Sequence, residues 1–89
     1  MAIYFHRHAK RLLQGSRVVH GVTLTRRELQ CLEWAARGMS ARNIGQTLGI
    51  TRRTAAFHLD NVRMKLDVRT IQQAVALLAE ARALHRPEA

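Results

Sequence analysis

Helix caps and glycines recur so closely along residues 24–85 that only short helices fit between them. Thr25 stands three residues before Glu28, a spacing that lets the hydroxyl and the carboxylate satisfy backbone N–H groups at a helix start. Gly38 follows where that helix can end in the left-handed conformation, which glycine adopts at little cost. The spacing therefore predicts a first helix over residues 26–37.

A sharp turn joins the next two predicted helices. Ser40 can cap a short helix over residues 41–48, and Thr51 can cap a longer one over residues 52–66. Gly49 lies in the connection, where the chain needs a residue that accepts a positive φ. A short helix, a glycine turn and a longer helix predict a helix-turn-helix, although two-helix hairpins of ordinary bundles have similar spacing.

A fourth helix is predicted after Thr70, which can form a second capping box with Gln73. Apolar residues at helical spacing give each helix one buried face, and a chain of this length supports one small core. The predicted core positions are Leu29, Leu32, Ala35, Ala36, Ile44, Leu48, Ala55, Leu59, Val62, Leu66, Ile71, Ala74, Val75, Leu78 and Ala81. The fold class is therefore all-α, a four-helix helix-turn-helix domain preceded by a short N-terminal helical or linker segment.

Residues 1–21 differ from the rest because they lack these capping signals. The stretch YFHRHAKRLL fits one or two helical turns, and QGSRVVHG has the composition of a linker. We therefore expect an N-terminal segment over residues 1–21, the helix-turn-helix domain over residues 22–86 and a tail over residues 87–89.

The charge of the chain limits the classes of partner. Fifteen Lys and Arg against six Asp and Glu give a formal net charge of +9, which favours nucleic acid or an acidic membrane surface. Arginine supplies nearly all of the positive charge, and its forked donors suit phosphates and guanine. No apolar run reaches the roughly 18–20 residues of a membrane span, and the first residues do not have the pattern of a signal peptide. We therefore expect a cytoplasmic protein that binds nucleic acid and not a membrane.

Side chains suited to catalysis or metal binding are scarce. The single Cys31 allows neither an internal disulfide nor a cysteine-built zinc site. His6 and His8 have no acidic or cysteine neighbours at ligand spacing, and His58 falls at the edge of a predicted buried face, where packing is its ordinary role. We therefore predict no enzyme activity, no metal site, no cofactor and no small-molecule pocket.

The third helix turns an unusual set of side chains away from the core. At about 100° per residue, its outward face holds Arg53, Phe57, Asp60, Asn61 and Met64, with Ala56 on the flank. A face with two large apolar side chains and several polar ones is suited to contact with another molecule.

Arginines gather at two of the predicted helix starts. Arg42 opens the second helix, and Arg52 and Arg53 open the third, where cations oppose the helix dipole. We therefore predict that they bind phosphate, with Arg63 and Lys65 extending the basic strip along the third helix. A solvated charged face is the alternative.

The fourth helix has more apolar surface than one core face needs. Leu77 and Leu84 lie just beyond the edge of its core stripe, with small alanine side chains around them. Such a surface suits close packing between helices, so we predict a dimer contact through these two leucines. A wide core face in a small domain is the alternative.

Taken together, these residues resemble the LuxR-type helix-turn-helix domain, the C-terminal DNA-binding module of bacterial transcription regulators. The resemblance covers residues 24–84 and is carried by Leu24, Thr25, Arg27, Glu28, Leu32, Gly38, Ile44, Leu48, Ile50, Thr54, His58, Asn61, Lys65, Leu66, Val68, Gln73 and Ala74. Trp34 and the neighbours Phe57 and His58 are similar to the branch that senses acyl-homoserine lactones, in which a sensor domain precedes this module. Residues 1–21 then resemble the last helix of such a sensor domain followed by a linker.

The resemblance implies that the third helix lies in the major groove and that the fourth carries dimer contacts. It implies base-facing positions at Ala56, Phe57 and Asp60, and phosphate contacts from Thr51, Arg53, Thr54, Asn61 and Lys65. The departures are Ala56 and Asp60, where many members have a basic or polar donor. Ala56 suits contact with a thymine methyl group and Asp60 suits a cytosine amino group. Arg53 or Arg63 would then supply the contact to guanine.

Two functions remain open from the sequence. The first is a sequence-specific transcription regulator of the quorum-sensing type, which binds a two-fold operator in double-stranded DNA as a homodimer and has RNA polymerase as a candidate partner. The second is a dimerisation or antagonist module that pairs with a full-length regulator without reading DNA, which Ala56 and Asp60 favour. An RNA-binding or σ-like module is disfavoured because the sequence lacks exposed aromatic pairs for base stacking.

Overall fold

The computed structural model describes residues 17–85, which form four α-helices and one short β-hairpin. The helices are α1 (Arg26–Ala36), α2 (Ala41–Leu48), α3 (Arg52–Leu66) and α4 (Ile71–His85), and the strands are β1 (Val18–Val19) and β2 (Val22–Thr23). The predicted helix-turn-helix class is confirmed, with the hairpin as a small addition. The predictions for residues 1–16 and 86–89 lie outside the described residues. No helix within residues 17–85 has both the length and the apolar character needed to cross a membrane.

The capping residues that the sequence predicts make their hydrogen bonds. Thr25 Oγ1 accepts from the Glu28 N–H at 3.1 Å, and Glu28 Oε1 accepts from the Thr25 N–H at 2.9 Å. The other three helices are capped through the side-chain oxygens of Ser40, Thr51 and Thr70. Gly49 ends α2 with a φ of 72°, as the predicted turn requires, and Asp67 ends α3 with a φ of 57°. All four helices therefore begin at the residue after the predicted cap.

The second half of the stretch that we interpreted as a linker contains the first strand and the turn of the hairpin. Its antiparallel register pairs Val18 with Thr23 and Val19 with Val22. His20 and Gly21 form the two-residue turn with φ values of 49° and 78°, a combination that matches the twist of paired strands. Val19 is completely buried and packs in the core, so the linker interpretation does not hold for residues 17–21.

The buried side chains form two adjoining clusters rather than one. Cluster one joins the hairpin, α1, α3 and α4, and consists of Val19, Leu24, Leu32, Val62, Leu66, Ala74, Leu78 and Ala81. Cluster two joins α1, α2 and α3 through Cys31, Ile44 and Ala55, with Trp34, Leu48, Ile50 and Leu59 partly buried around them. Cys31 and Leu32 enter different clusters because successive helical residues are turned by about 100°. Cluster two therefore holds the helix-turn-helix together, and cluster one attaches it to α4.

One predicted core position is wrong. Ala36 is exposed, although the helical period puts it near the buried face of α1. It is the last residue of the helix, where the chain turns through Arg37 and Gly38, and among residues 17–85 no element covers it. Cys31 is the residue of α1 that fills cluster two instead.

Candidate nucleic-acid interface

The turn between α2 and α3 is fixed by a close approach of two backbone segments. The Ile50 N–H donates to the Gly45 carbonyl oxygen at 2.9 Å, and a Cβ on Gly45 would lie 2.7 Å from the Ile50 carbonyl oxygen. A larger residue would therefore force α2 and the turn apart. The role of Gly45 was not predicted from the sequence, although a glycine inside a predicted helix is a known sign of close packing.

The buried side of α3 determines which of its faces is open to solvent. Ala55 and Val62 are completely buried, whereas Phe57 is 59% exposed and Met64 is 75% exposed. Of the predicted base-facing residues, Arg53, Phe57 and Asp60 are exposed and Ala56 is half-buried. The side chains chosen from the helical period thus lie on the accessible side of the helix.

Three arginines are exposed in the first turns of α2 and α3, namely Arg42, Arg52 and Arg53. Neither first turn contains an acidic residue, and within residues 17–84 no carboxylate forms an ion pair with any of the three. The first N–H groups of each helix also have no acceptor within the helix. Both helix starts therefore carry uncompensated positive charge, which an anion such as phosphate would neutralise.

The hydroxyl groups of two threonines at the start of α3 are hydrogen-bonded to each other. Thr51 Oγ1 accepts from the Thr54 N–H at 3.0 Å and donates to Thr54 Oγ1 at 2.9 Å. The Thr51 hydroxyl is therefore used within the cap, whereas the Thr54 hydroxyl keeps its hydrogen for another acceptor. Asn61, a further predicted phosphate contact, is half-buried on the same helix.

The cations near the end of α3 already have partners. Arg63 Nη2 lies 2.6 Å from Asp60 Oδ1, and Arg63 Nη1 donates to the Arg69 carbonyl oxygen at 2.9 Å. Lys65 Nζ lies 2.8 Å from Glu28 Oε1. Considering only residues 17–84, the cations at the start of the helix have no carboxylate partner and those near its end are paired, a difference that the sequence pattern did not show.

Glu28 connects α1 to α3. Burial by itself would raise the pKa of this carboxyl, but hydrogen bonds from Lys65 and from the Thr25 N–H outweigh it and hold the pKa below the ordinary value of 4.5. The carboxylate is therefore charged at neutral pH, and it serves the capping box and the ion pair together. Helical periodicity could not reveal this contact because Glu28 and Lys65 are 37 positions apart.

The two leucines predicted for the dimer contact differ in exposure. Leu77 is partly buried and packs against cluster one, whereas Leu84 is 82% exposed. Three alanines of α4 are exposed as well: Ala76, Ala79 and Ala83. The accessible apolar surface of α4 therefore consists of Leu84 and small side chains, to which Leu77 contributes only in part.

His58 and Trp34 pack within the domain. His58 is half-buried, and its ring centre lies 5.9 Å from that of Phe57. Trp34 packs on cluster two, with the Arg37 guanidinium 5.0 Å from its ring centre. Within the described part of the chain, no group of three or more His, Cys, Asp or Glu residues could hold a metal ion.

A helix-turn-helix that presents an exposed helix face between arginine-bearing helix starts defines a nucleic-acid-binding class of domain. Residues 22–78 match the luxR family of bacterial regulatory proteins, a range that covers well over half of the chain. The chain therefore belongs to the luxR family, whose members are transcription regulators with a helix-turn-helix DNA-binding domain.

Three relatives illustrate how much of the chain is shared. The transcriptional activator protein LuxR of Aliivibrio fischeri is 43% identical over 53 residues, which are 60% of this chain and 21% of the relative. The transcriptional activator protein BjaR1 of Bradyrhizobium diazoefficiens is 42% identical over 77 residues, 86% of this chain and 31% of the relative. The quorum sensing-dependent transcriptional regulator RpaR of Rhodopseudomonas palustris is 40% identical over 76 residues, 85% of this chain and 31% of the relative. The chain thus spans about a fifth to a third of the length of these relatives, all three of which are named as regulators of transcription.

Proposed function

We propose that this domain binds double-stranded DNA sequence-specifically, with α3 in the major groove, and regulates transcription as part of a quorum-sensing regulator in the cytoplasm. One observation carries the proposal: arginines that have no carboxylate partner among residues 17–84 stand at the starts of α2 and α3 and flank an exposed face of mixed polar and apolar side chains. DNA offers phosphates to the arginines and base edges to the mixed face. The name of RpaR supports the quorum-sensing part of the proposal.

The contacts divide into two sets. The proposed base-facing residues are Arg53, Ala56, Phe57 and Asp60, and the proposed phosphate contacts are Arg42, Thr51, Arg52, Thr54, Asn61 and Lys65. The Ala56 methyl and the Phe57 ring fit thymine methyl groups, which project into the major groove. Arg63 would contact a phosphate only if its ion pair with Asp60 breaks.

The domain is proposed to act as a homodimer on a two-fold operator. The α4 surface around Leu84, with part of Leu77, is the proposed contact between the two copies. A two-fold axis then presents two α3 helices to half-sites about 34 Å apart, one helical turn of DNA. RNA polymerase is the further partner through which such a dimer would affect transcription.

Selection from a random duplex library at two salt concentrations tests this function. The purified chain should recover a two-fold motif, with weaker retention at the higher salt concentration. Arg52→Ala should weaken binding to all sequences together and reduce the slope of log K against log salt by about 1. Phe57→Ala should instead change the preference among sequences by roughly 1–2 kcal/mol.

The matched control is Arg82→Gln, which removes a cation from α4 whose partner is Glu33 on α1. It should keep both the motif and the salt slope. If all duplexes were retained equally, in a salt-sensitive way and without a common motif, the proposed sequence-specific binding would be contradicted. Activity that survives neutral substitutions of Arg52 and Arg53 but not of Leu77 would favour a dimerisation or antagonist module.

A further inference from the structure

Asp60 is an acidic residue on a surface otherwise suited to DNA. It lies one helical turn beyond Phe57, on the exposed side of α3. A carboxylate there would be repelled by phosphates unless a cation offsets it. Arg63 supplies that cation, because its Nη2 lies 2.6 Å from Asp60 Oδ1.

Arg63 is held at two points. Besides Asp60, its Nη1 donates to the Arg69 carbonyl oxygen, which belongs to the connection between α3 and α4, at 2.9 Å. The planar guanidinium thus joins the carboxylate to the backbone of that connection and fixes the direction of the Asp60 side chain. A lysine ammonium lacks the rigid fork that makes these two bonds.

The second oxygen of the carboxylate is left for a ligand. Among the described residues, no donor bonds Asp60 Oδ2. An ionised carboxylate only accepts hydrogen bonds, and in the major groove the base donors are the amino groups of cytosine and adenine. Adenine places its N7 acceptor beside its amino group, which opposes a carboxylate, whereas cytosine does not. Cytosine is therefore the base that fits.

We propose that Asp60 selects cytosine at one position of each half-site and that Arg63 is the positioning residue that aims and partly neutralises its carboxylate. This inference rests on the proposed function. It replaces the predicted role of Arg63 as a phosphate or guanine contact, because the guanidinium is already bonded within the domain. It also gives Asp60 a direct part in sequence preference.

The test combines duplex selection with competition binding between operators that differ at a single base pair. Asp60→Asn should lower the preference for cytosine at one position by roughly tenfold, the range of one base contact. It should also bind other sequences at least as well as before, because a negative charge is removed. Arg63→Gln and Arg63→Lys should reduce the preference for cytosine at the same position. The double variant Asp60→Asn/Arg63→Gln should lose no more of that preference than Asp60→Asn alone.

The outcomes separate this inference from the function on which it rests. If Arg63→Gln weakens all sequences equally and reduces the salt slope by about 1, Arg63 is a phosphate contact and the proposal is wrong. A selected motif that no Asp60 variant alters would refute the cytosine contact while leaving DNA binding intact. Loss of all duplex retention by the unmodified chain would overturn the proposed function and this inference with it. Circular dichroism of each variant distinguishes a change in preference from unfolding, and Arg63→Lys supplies the milder change if Arg63→Gln unfolds.

Discussion

Replacing Lys65 with methionine tests the ion pair that joins α3 to α1. The Glu28 side chain is only 4% exposed, so loss of the ammonium leaves a buried carboxylate with Thr25 as its remaining hydrogen-bond partner among the described residues. Methionine keeps an unbranched stem, and its helix propensity is close to that of lysine. A loss of stability would therefore report on the charge rather than on the helix.

The size of the effect follows from how the two partners are buried. Removing one partner of a fully buried ion pair costs about 3–5 kcal/mol. The Lys65 side chain is 39% exposed, so water can replace part of what the ammonium supplies. We therefore expect Lys65→Met to lower the free energy of unfolding by about 2 kcal/mol, which in a domain of this size lowers Tm by roughly 8–16 °C.

Urea unfolding at a series of pH values measures both the size and the origin of this effect. The pKa of Glu28 is lower in the folded state than its ordinary value of 4.5. The Glu28 carboxylate therefore makes its full contribution to the free energy of unfolding above pH 4.5. The contribution is lost as the pH falls through the folded-state pKa. In Lys65→Met the pKa of Glu28 in the folded state should rise, so the variant should lose less stability on acidification than the unmodified chain, and the difference between the two proteins should shrink in acid.

The matched control is Arg42→Met, which removes a cation that has no carboxylate partner within residues 17–84. It should change stability by less than about 0.5 kcal/mol. The ion pair between Lys65 and Glu28 does not stabilise the fold as argued if Lys65→Met changes the free energy of unfolding as little as this control does. The same conclusion follows if the difference in stability between Lys65→Met and the unmodified chain stays constant as the pH falls.

Three further predictions concern the scaffold, each measured by urea unfolding. Gly45→Val should cost at least about 2 kcal/mol, because the added side chain meets the Ile50 carbonyl oxygen; a neutral result would show that the turn can shift freely. Gly49→Ala should cost about 1 kcal/mol because its φ of 72° strains a residue with a Cβ, and unchanged stability would argue against that turn. Val19→Ala should cost about 2 kcal/mol, because two methyl groups leave a completely buried site, whereas a cost near zero would show that the hairpin does not contribute to the core.

The helix bounds could be predicted from the sequence because their signals are local. A cap such as Thr51 acts on N–H groups a few residues away, and a glycine such as Gly49 reports the backbone conformation at its own position. The exposed face of α3 could be predicted for the same reason, since one helical period decides it. Phe57 was assigned outward from that period alone, and it is 59% exposed.

The contacts that the sequence did not reveal depend on where distant segments meet. Glu28 was recognised as a capping residue, but its bond to Lys65 requires α1 and α3 to cross at that point. Gly45 drew no prediction from the sequence, because its close neighbour, the Ile50 carbonyl oxygen, is placed there by the turn. The hairpin was missed because two-residue strands are too short to show alternation, although Gly21 after His20 between valines was an available turn signal.

In the proposed function, the start of α3 rather than its end offers cations to phosphates, because Arg63 and Lys65 already have carboxylate partners. Counterion release depends on cations that exchange solution ions for phosphates, so a cation already held by a carboxylate contributes less to salt dependence than a free one. The salt dependence of DNA binding should therefore come mainly from Arg42, Arg52 and Arg53. Arg63 should instead affect base preference through Asp60. Affinity would then depend mainly on the starts of α2 and α3, and the preference for cytosine on Asp60 and Arg63 further along α3, so substitutions could change either without the other.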